Sequence, residues 1–242
     1  MSKTLDGKVV LITGASRGIG YQAALEAARR GAHVIAVART IGGLEDLDDA
    51  IKALGGSTTL VPHDLRDFDG IDRLGRSIYD RWGHLDGLIG NAATLGLITP
   101  VAHMDVKDFD EVMSLNVTAN YRLIRSMDLL LRQSAAGRAV FVSASSSHSA
   151  KPFWGAYAAS KAALEALVKS YAAEIATTNA RVNVFWPGAV RTAMRAKAMP
   201  GEDPETLPKA AEIVPKLIDM IEPAFTATRT LYDYESQSSR PL

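Results

Sequence analysis

The sequence contains no cysteine, which excludes disulfide bonds, thiolate nucleophiles and cysteine-ligated zinc or iron–sulfur centres. It has no excess of charge, because 27 basic residues balance 27 acidic ones, so bulk electrostatics does not favour nucleic acid or an anionic membrane. No uncharged apolar run reaches the roughly 18 residues of a membrane span, and residues 1–7 lack the apolar core of a signal peptide. We therefore expect a cytoplasmic protein that binds neither nucleic acid nor membrane, and we assign no metal ligands.

The rest of the composition is that of an ordinary globular chain. The 242 residues are 47% apolar and 22% charged, which is enough to bury a sizeable core. Short apolar, β-branched runs alternate with longer helical patterns at least six times, as in βαβ units. The prediction is one domain over residues 1–242, with a doubly wound parallel sheet between two layers of helices.

The periodicity of the apolar residues places the elements along the chain. We predict strands at 8–13, 33–38, 58–62, 85–89, 138–142, 181–186 and 229–234. Helices are predicted at 19–30, 44–54, 68–82, 106–132 and 156–176, with one more after residue 212. Residues 193–208 hold three prolines and little periodicity, so we expect a mobile substrate loop there. Residues 235–242 are expected to form a short polar tail.

A glycine-rich segment, Thr13-Gly-Ala-Ser-Arg-Gly-Ile-Gly20, lies between the first predicted strand and the first predicted helix. Glycines there let the backbone turn sharply and approach a pyrophosphate, which the positive end of the following helix attracts. A lone glycine pattern is weak evidence, but the strand-turn-helix context strengthens it. We expect Gly14, Gly18 and Gly20 to contact a dinucleotide.

The end of the second strand indicates which dinucleotide. An acidic residue there would bind a free ribose 2′-hydroxyl, but this sequence has Ala38-Arg39. Arg39, together with Arg17 in the glycine turn, can bind a 2′-phosphate through charge-assisted hydrogen bonds. The sequence therefore favours NADP(H) over NAD(H), although a single arginine is more often a solvated surface residue.

Tyr157 and Lys161 lie four residues apart at the start of a predicted helix, so both face the same side. An adjacent cation would lower the pKa of the phenol towards neutrality and suit it to proton transfer. Taken alone, such a pair is usually a half-buried aromatic and a solvated charge.

Together these motifs resemble the short-chain dehydrogenase/reductase family in its single-domain form, over nearly the whole chain. The resemblance implies a Rossmann fold and hydride transfer between nicotinamide C4 and a carbonyl carbon, with Tyr157 handling the proton. It implies that Lys161 holds the nicotinamide ribose and that Asn116 helps to link Lys161 to solvent through water. The candidate cofactor contacts are Gly14, Ser16, Arg17, Gly18, Ile19, Gly20, Arg39, Asp64, Leu65, Asn91, Tyr157, Lys161, Pro187, Gly188, Val190 and Thr192.

The family's catalytic serine is missing, because the position thirteen residues before Tyr157 is Ala144. Ser143 and Ser145 flank it, and strand alternation would point both away from the site. A turn can bring Ser145 into place, so we assign the role to Ser145. If neither serine serves, one hydrogen bond to the developing oxyanion is lost.

We expect an NADP(H)-dependent reductase or dehydrogenase for a small or medium apolar substrate, with Phe153, Trp154, Met194, Met199 and Pro200 as an apolar lid. Ala144 favours the alternative of a cofactor-binding sensor or scaffold without useful turnover. A lyase or epimerase that uses the same tyrosine is a third possibility. The resemblance also implies a homodimer or homotetramer.

Overall fold

The alternating strands and helices form one eight-stranded sheet in the computed structural model, which describes residues 3–149 and 151–242. Met1 and Ser2, two of the residues in the polar N-terminal segment, lie outside that part. The strands are β1 Val9–Thr13, β2 His33–Ala38, β3 Ser57–Pro62, β4 Gly87–Gly90, β5 Arg138–Val142, β6 Arg181–Trp186, β7 Thr230–Asp233 and β8 Ser238–Pro241.

Helices connect these strands and cover both faces of the sheet. They are α1 Gly18–Arg29, α2 Ile41–Ala53, α3 Phe68–Trp82, α4 Val106–Met113, α5 Ala119–Gln133, α6 Gly155–Glu174, α7 Ala193–Ala198 and α8 Ala210–Asp219. Within the described residues, no helix has both the length and the apolar character that crossing a bilayer requires.

The order of the strands creates a crevice at one end of the sheet. The order is β3-β2-β1-β4-β5-β6-β7-β8, and every neighbouring pair is parallel except β7 and β8. After β3 the chain crosses to β4, on the other side of β1, so the direction of winding reverses between β1 and β4. Ligands of such sheets bind at this reversal, beyond the carboxyl ends of the strands. The predicted doubly wound sheet is confirmed.

Alternate residues of the strands supply two separate cores. Val10 and Ile12 of β1 face α1, α2 and α8, whereas Val9 and Leu11 face α3, α5 and α6. This is why the strands are apolar in continuous runs rather than on alternate residues. The functional residues are thereby left to the strand ends and the loops beyond them.

The predicted helix over 106–132 is interrupted, which corrects the sequence-based assignment. A π-helical turn at Ser114–Thr118 separates α4 from α5. Asn116 in this turn is fully buried, and its side chain bonds to the backbone of Thr94 and to the Ser160 hydroxyl. These partners are distant in sequence, so helical periodicity cannot reveal the interruption.

Two other segments are more ordered than their composition indicates. The expected loop 193–208 begins with α7, where the Thr192 hydroxyl accepts the Arg195 N–H and caps the helix. Arg195 then forms a two-bond ion pair with Glu202. The expected polar tail contains β8, an exposed edge strand paired with β7. Because one neighbour and solvent surround such a strand, it carries no apolar alternation to predict it.

Candidate active site

A cavity of about 570 Å³ lies at the carboxyl ends of β1 and β4. It brings together all but two of the residues predicted for the site, although these come from segments spread over most of the chain. The predicted residues that line it are Gly14, Ser16, Arg17, Gly18, Ile19, Arg39, Asp64, Leu65, Asn91, Ser145, Tyr157, Lys161, Pro187, Gly188, Val190 and Thr192. Gly20 and Asn116 do not line it.

The glycine turn is shaped by close backbone contacts. Gly14 and Gly18 have φ angles of +69° and +58°, a region that side chains disfavour. Gly20 has a different role from the cofactor contact expected of it. A Cβ atom at Gly20 would lie 2.3 Å from the Gly14 carbonyl oxygen, so Gly20 allows α1 to pack tightly beneath the turn.

Asn91 and Thr13 hold this turn in place. The Asn91 side-chain amide donates a hydrogen bond to the Thr13 carbonyl oxygen at a distance of 2.9 Å. The buried Thr13 hydroxyl accepts the backbone N–H groups of Asn91 and Ala92 at 3.0 and 3.1 Å. Asn91 thus braces the carbonyl side of the turn as well as lining the cavity. Sequence reasoning overlooked Thr13, since a threonine at a strand end gives no distinctive signal.

The two predicted arginines are exposed at the rim of the cavity, on either side of the glycine turn. Arg39 contacts Asp64 only loosely, at 3.8 Å. Asp64 is instead held by Arg66 at 2.7 Å, and this hydrogen bond lowers the pKa of Asp64 to about 2. The Arg39 guanidinium therefore remains accessible to an anion in the cavity.

Tyr157 and Lys161 lie on the same face of the first turns of α6. The buried Lys161 ammonium donates to the Val142 carbonyl oxygen at 2.8 Å and lies 5.7 Å from the centre of the Tyr157 ring. Trp154 packs edge-on against Tyr157, with 5.9 Å between ring centres. The phenol is therefore placed between a buried cation and an apolar wall.

The expected lowering of the tyrosine pKa by its neighbouring cation is wrong for this structure. Burial disfavours the phenolate and raises the pKa of Tyr157 to about 12. Burial also lowers the pKa of Lys161 to about 8, and the charge of Glu165 partly opposes that effect. Desolvation outweighs the attraction between the pair, so Tyr157 is protonated at neutral pH and is suited to donate a proton.

Asn116 forms no direct hydrogen bond with Lys161 in the described part of the chain. Its amide group is used within the protein, because the oxygen accepts the Thr94 N–H at 2.8 Å while the nitrogen donates to the Thr94 carbonyl and to Ser160. These bonds fix the loop after β4 to α6. The side chain therefore supports the floor of the site.

The chain around Ala144 leaves the direction of β5 within three residues of the end of that strand, where a 3₁₀ turn begins. Ser143 lines the cavity but is buried and donates to Glu165. Ser145 is exposed at the cavity, where a 3₁₀ turn over Ser145–Ser147 begins. Ser146 was not predicted, yet it lines the same cavity. Its hydroxyl is buried and has no hydrogen-bond partner among the described residues. Three serines, Ser143, Ser145 and Ser146, therefore line the cavity next to Ala144.

The proposed lid residues are only partly gathered at the site. Trp154 and Met194 line the cavity, together with Lys151 and Glu235, which sequence reasoning did not select. Phe153 is 53% exposed and has a φ angle of +72°. Phe153, Met199 and Pro200 do not line the cavity, and Met199 instead lies 3.8 Å from the Lys151 ammonium.

Comparisons with known proteins identify the family to which this chain belongs. The family model for short chain dehydrogenases matches residues 8–203. The uncharacterised oxidoreductase YciK of Escherichia coli K12 is 37% identical over 214 residues, which are 87% of this chain and 84% of YciK.

Two solved structures superimpose closely on the fold. A short chain dehydrogenase of Shigella flexneri 2a complexed with NADP has a TM-score of 0.91 and 34% identity, over 97% of this chain and all of its own. One of Escherichia coli CFT073 complexed with NADPH has a TM-score of 0.90 and 34% identity, over 96% of this chain and 99% of its own. The chain thus belongs to the short chain dehydrogenase family of oxidoreductases.

Proposed function

We propose that this protein is an NADP(H)-dependent oxidoreductase that interconverts a carbonyl and a secondary alcohol in a small or medium apolar substrate. One observation carries the proposal. Tyr157 and Lys161 line the same cavity as the glycine turn and the two arginines. A proton donor and a site for an anionic dinucleotide are thus combined in one crevice.

The residues of the crevice fit such a cofactor. The helix α1 begins without a side-chain cap, so the N–H groups of its first turn are open to a phosphate. The glycines keep side chains out of this approach. Arg17 and Arg39 would bind the 2′-phosphate, and the NADP and NADPH complexes of two similar structures support this preference. When bound, a nicotinamide cofactor supplies or accepts the hydride.

Tyr157 supplies the proton in the direction of reduction. Because burial keeps its pKa far above neutral, the phenol is present in its acid form at working pH. It donates that proton to the carbonyl oxygen of the substrate as negative charge develops there. The Lys161 ammonium lies beside the ring and stabilises the phenolate that forms.

Titration with NADPH and NADH in parallel, followed by turnover against a panel of aldehydes and ketones, tests the proposal. We expect tighter binding of NADPH and its consumption with at least one apolar carbonyl compound. Binding without turnover on any carbonyl would favour the alternative of a cofactor-binding sensor, for which Ala144 is the supporting feature. Failure to bind either cofactor would contradict both functions.

Replacing Arg39 by alanine is expected to weaken NADPH binding by about 10- to 100-fold, because a charge-assisted hydrogen bond contributes roughly 1.5–3 kcal/mol. NADH, which lacks the 2′-phosphate, should bind with unchanged affinity. The measurement is fluorescence titration of both cofactors. Arg76→Ala serves as the control, since Arg76 is exposed on α3 and pairs with Asp80. Equal losses for NADPH and NADH would contradict the role of Arg39.

A further inference from the structure

A second cluster of polar side chains lies directly behind the site, around Glu165. Glu165 follows Lys161 by one turn of α6 and is only 7% exposed. A buried carboxylate is costly unless it is well hydrogen-bonded. Four side chains place a donor within hydrogen-bond distance of this one: Ser143 at 2.5 Å, and Ser147, Trp186 and His148 at 2.8 Å each. The single Ser147 hydroxyl proton is shared with the Ala144 carbonyl oxygen at 2.7 Å.

The four donors come from the two segments that border the cavity. Ser143 follows β5, and Ser147 and His148 end the 3₁₀ turn, so the donors bracket Ala144, Ser145 and Ser146. Trp186 is the last residue of β6 and precedes the cavity-lining Pro187. The Glu165 carboxylate therefore links both segments by hydrogen bonds to α6, the helix that carries Tyr157 and Lys161.

Glu165 also provides the negative charge nearest along the helix to the buried ammonium. Burial lowers the pKa of Lys161 to about 8, and the negative charge of Glu165 acts in the opposite direction by raising that pKa. Tyr157 faces Lys161 from the same helix, and His148 contacts the far oxygen of Glu165 from the 3₁₀ turn. From β8, the Arg240 guanidinium lies 4.4 Å from the centre of the Trp186 ring.

We propose that Glu165 is a positioning residue of this site: its carboxylate holds the 143–148 turn and the end of β6 against α6, and its charge keeps Lys161 protonated. The positioning role rests on the proposed function, because it assumes that Lys161 and the turn take part in catalysis. The effect of Glu165 on the charge of Lys161 is independent of cofactor and substrate.

The variant Glu165→Gln distinguishes the effect of the negative charge from the effect of the hydrogen bonds, because glutamine has nearly the same shape as glutamate and no charge. The Oε1 atom accepts from Ser143, Ser147 and Trp186, and a glutamine retains an oxygen in that place. The new amide nitrogen would face His148, whose ring can accept a hydrogen bond in its other neutral tautomer. The variant is therefore expected to fold, and only the negative charge is removed.

The direct readout is an NMR titration of the Lys161 Cε signal in ¹³C-lysine-labelled protein, assigned with Lys161→Arg. Removing a negative charge disfavours the ammonium, so we expect the midpoint to fall by about one pH unit in Glu165→Gln. The alkaline limb of kcat/KM should move in the same direction by the same amount. Glu174→Gln, on the exposed end of α6, should titrate like the original protein.

Ser147→Ala tests the positioning role, because it removes one hydrogen bond between the turn and Glu165 and leaves the charge in place; it also removes the contact of this hydroxyl with the Ala144 carbonyl oxygen. We expect a fall in kcat of severalfold with an unchanged pH profile. An identical Lys161 midpoint in Glu165→Gln, or an unchanged kcat in Ser147→Ala, would overturn the corresponding half of the inference. If the original protein binds no NADPH, the proposed function fails, but the lysine titration still decides the charge effect.

Discussion

Tyr157→Phe is expected to lower NADPH-dependent carbonyl reduction by about a hundredfold to ten-thousandfold, the range that a positioned general acid contributes. The phenol is the group placed to protonate the substrate oxygen, since it lies in the cavity beside Lys161 and burial keeps it protonated. Phenylalanine preserves the ring that packs against Trp154. We therefore expect a similar melting temperature, and an NADPH affinity that falls far less than turnover does.

The measurement is kcat and KM for the best substrate of the panel, with NADPH titration and thermal unfolding on the same samples. Tyr79→Phe is the matched control, because that ring is 48% exposed on α3, away from the cavity. A Tyr157→Phe enzyme that keeps more than a tenth of the original rate would show that another group supplies the proton.

Ala144→Ser is expected to increase kcat/KM by about a hundredfold or more, because one donor to a developing oxyanion stabilises the transition state by roughly 2.7–4 kcal/mol. Ala144 is partly exposed, lines the cavity and has an extended backbone, with φ −155° and ψ 148°. A serine is compatible with that conformation. The gain should occur in kcat, since the bond strengthens as charge develops.

Steady-state kinetics of Ala144→Ser, Ser145→Ala and Ser146→Ala distinguish the possible donors. Ser145 is exposed at the cavity, and the Ser146 hydroxyl has no partner in the described part of the chain, so its rotation towards a substrate would break no hydrogen bond. If either serine already donates, its alanine variant should lose activity and Ala144→Ser should gain little. Unchanged activity in all three variants would show that the site works without this hydrogen bond.

Local sequence patterns were sufficient for the fold and for the main features of the cavity. Continuous apolar strands alternating with helices predict a parallel sheet, and the glycine turn and the Tyr157–Lys161 spacing each depend on residues close together in the chain. Parallel strands bring their carboxyl ends to one edge, so motifs that follow successive strands meet at one crevice.

Tertiary structure decided how those residues behave. Burial, which no short pattern encodes, raises the pKa of Tyr157 instead of lowering it. Asn116 and Gly20 support the site through contacts with Ser160 and Gly14 rather than lining it.

The side chains around Glu165 also come together only in the tertiary structure. The donors to Glu165 lie between 17 and 22 residues away in the chain, on two different strand ends and the turn between β5 and α6. Sequence determines which groups are present and which local shapes they adopt. Desolvation and long-range hydrogen bonds arise only when separate segments pack together, and they set the protonation and orientation on which the chemistry depends.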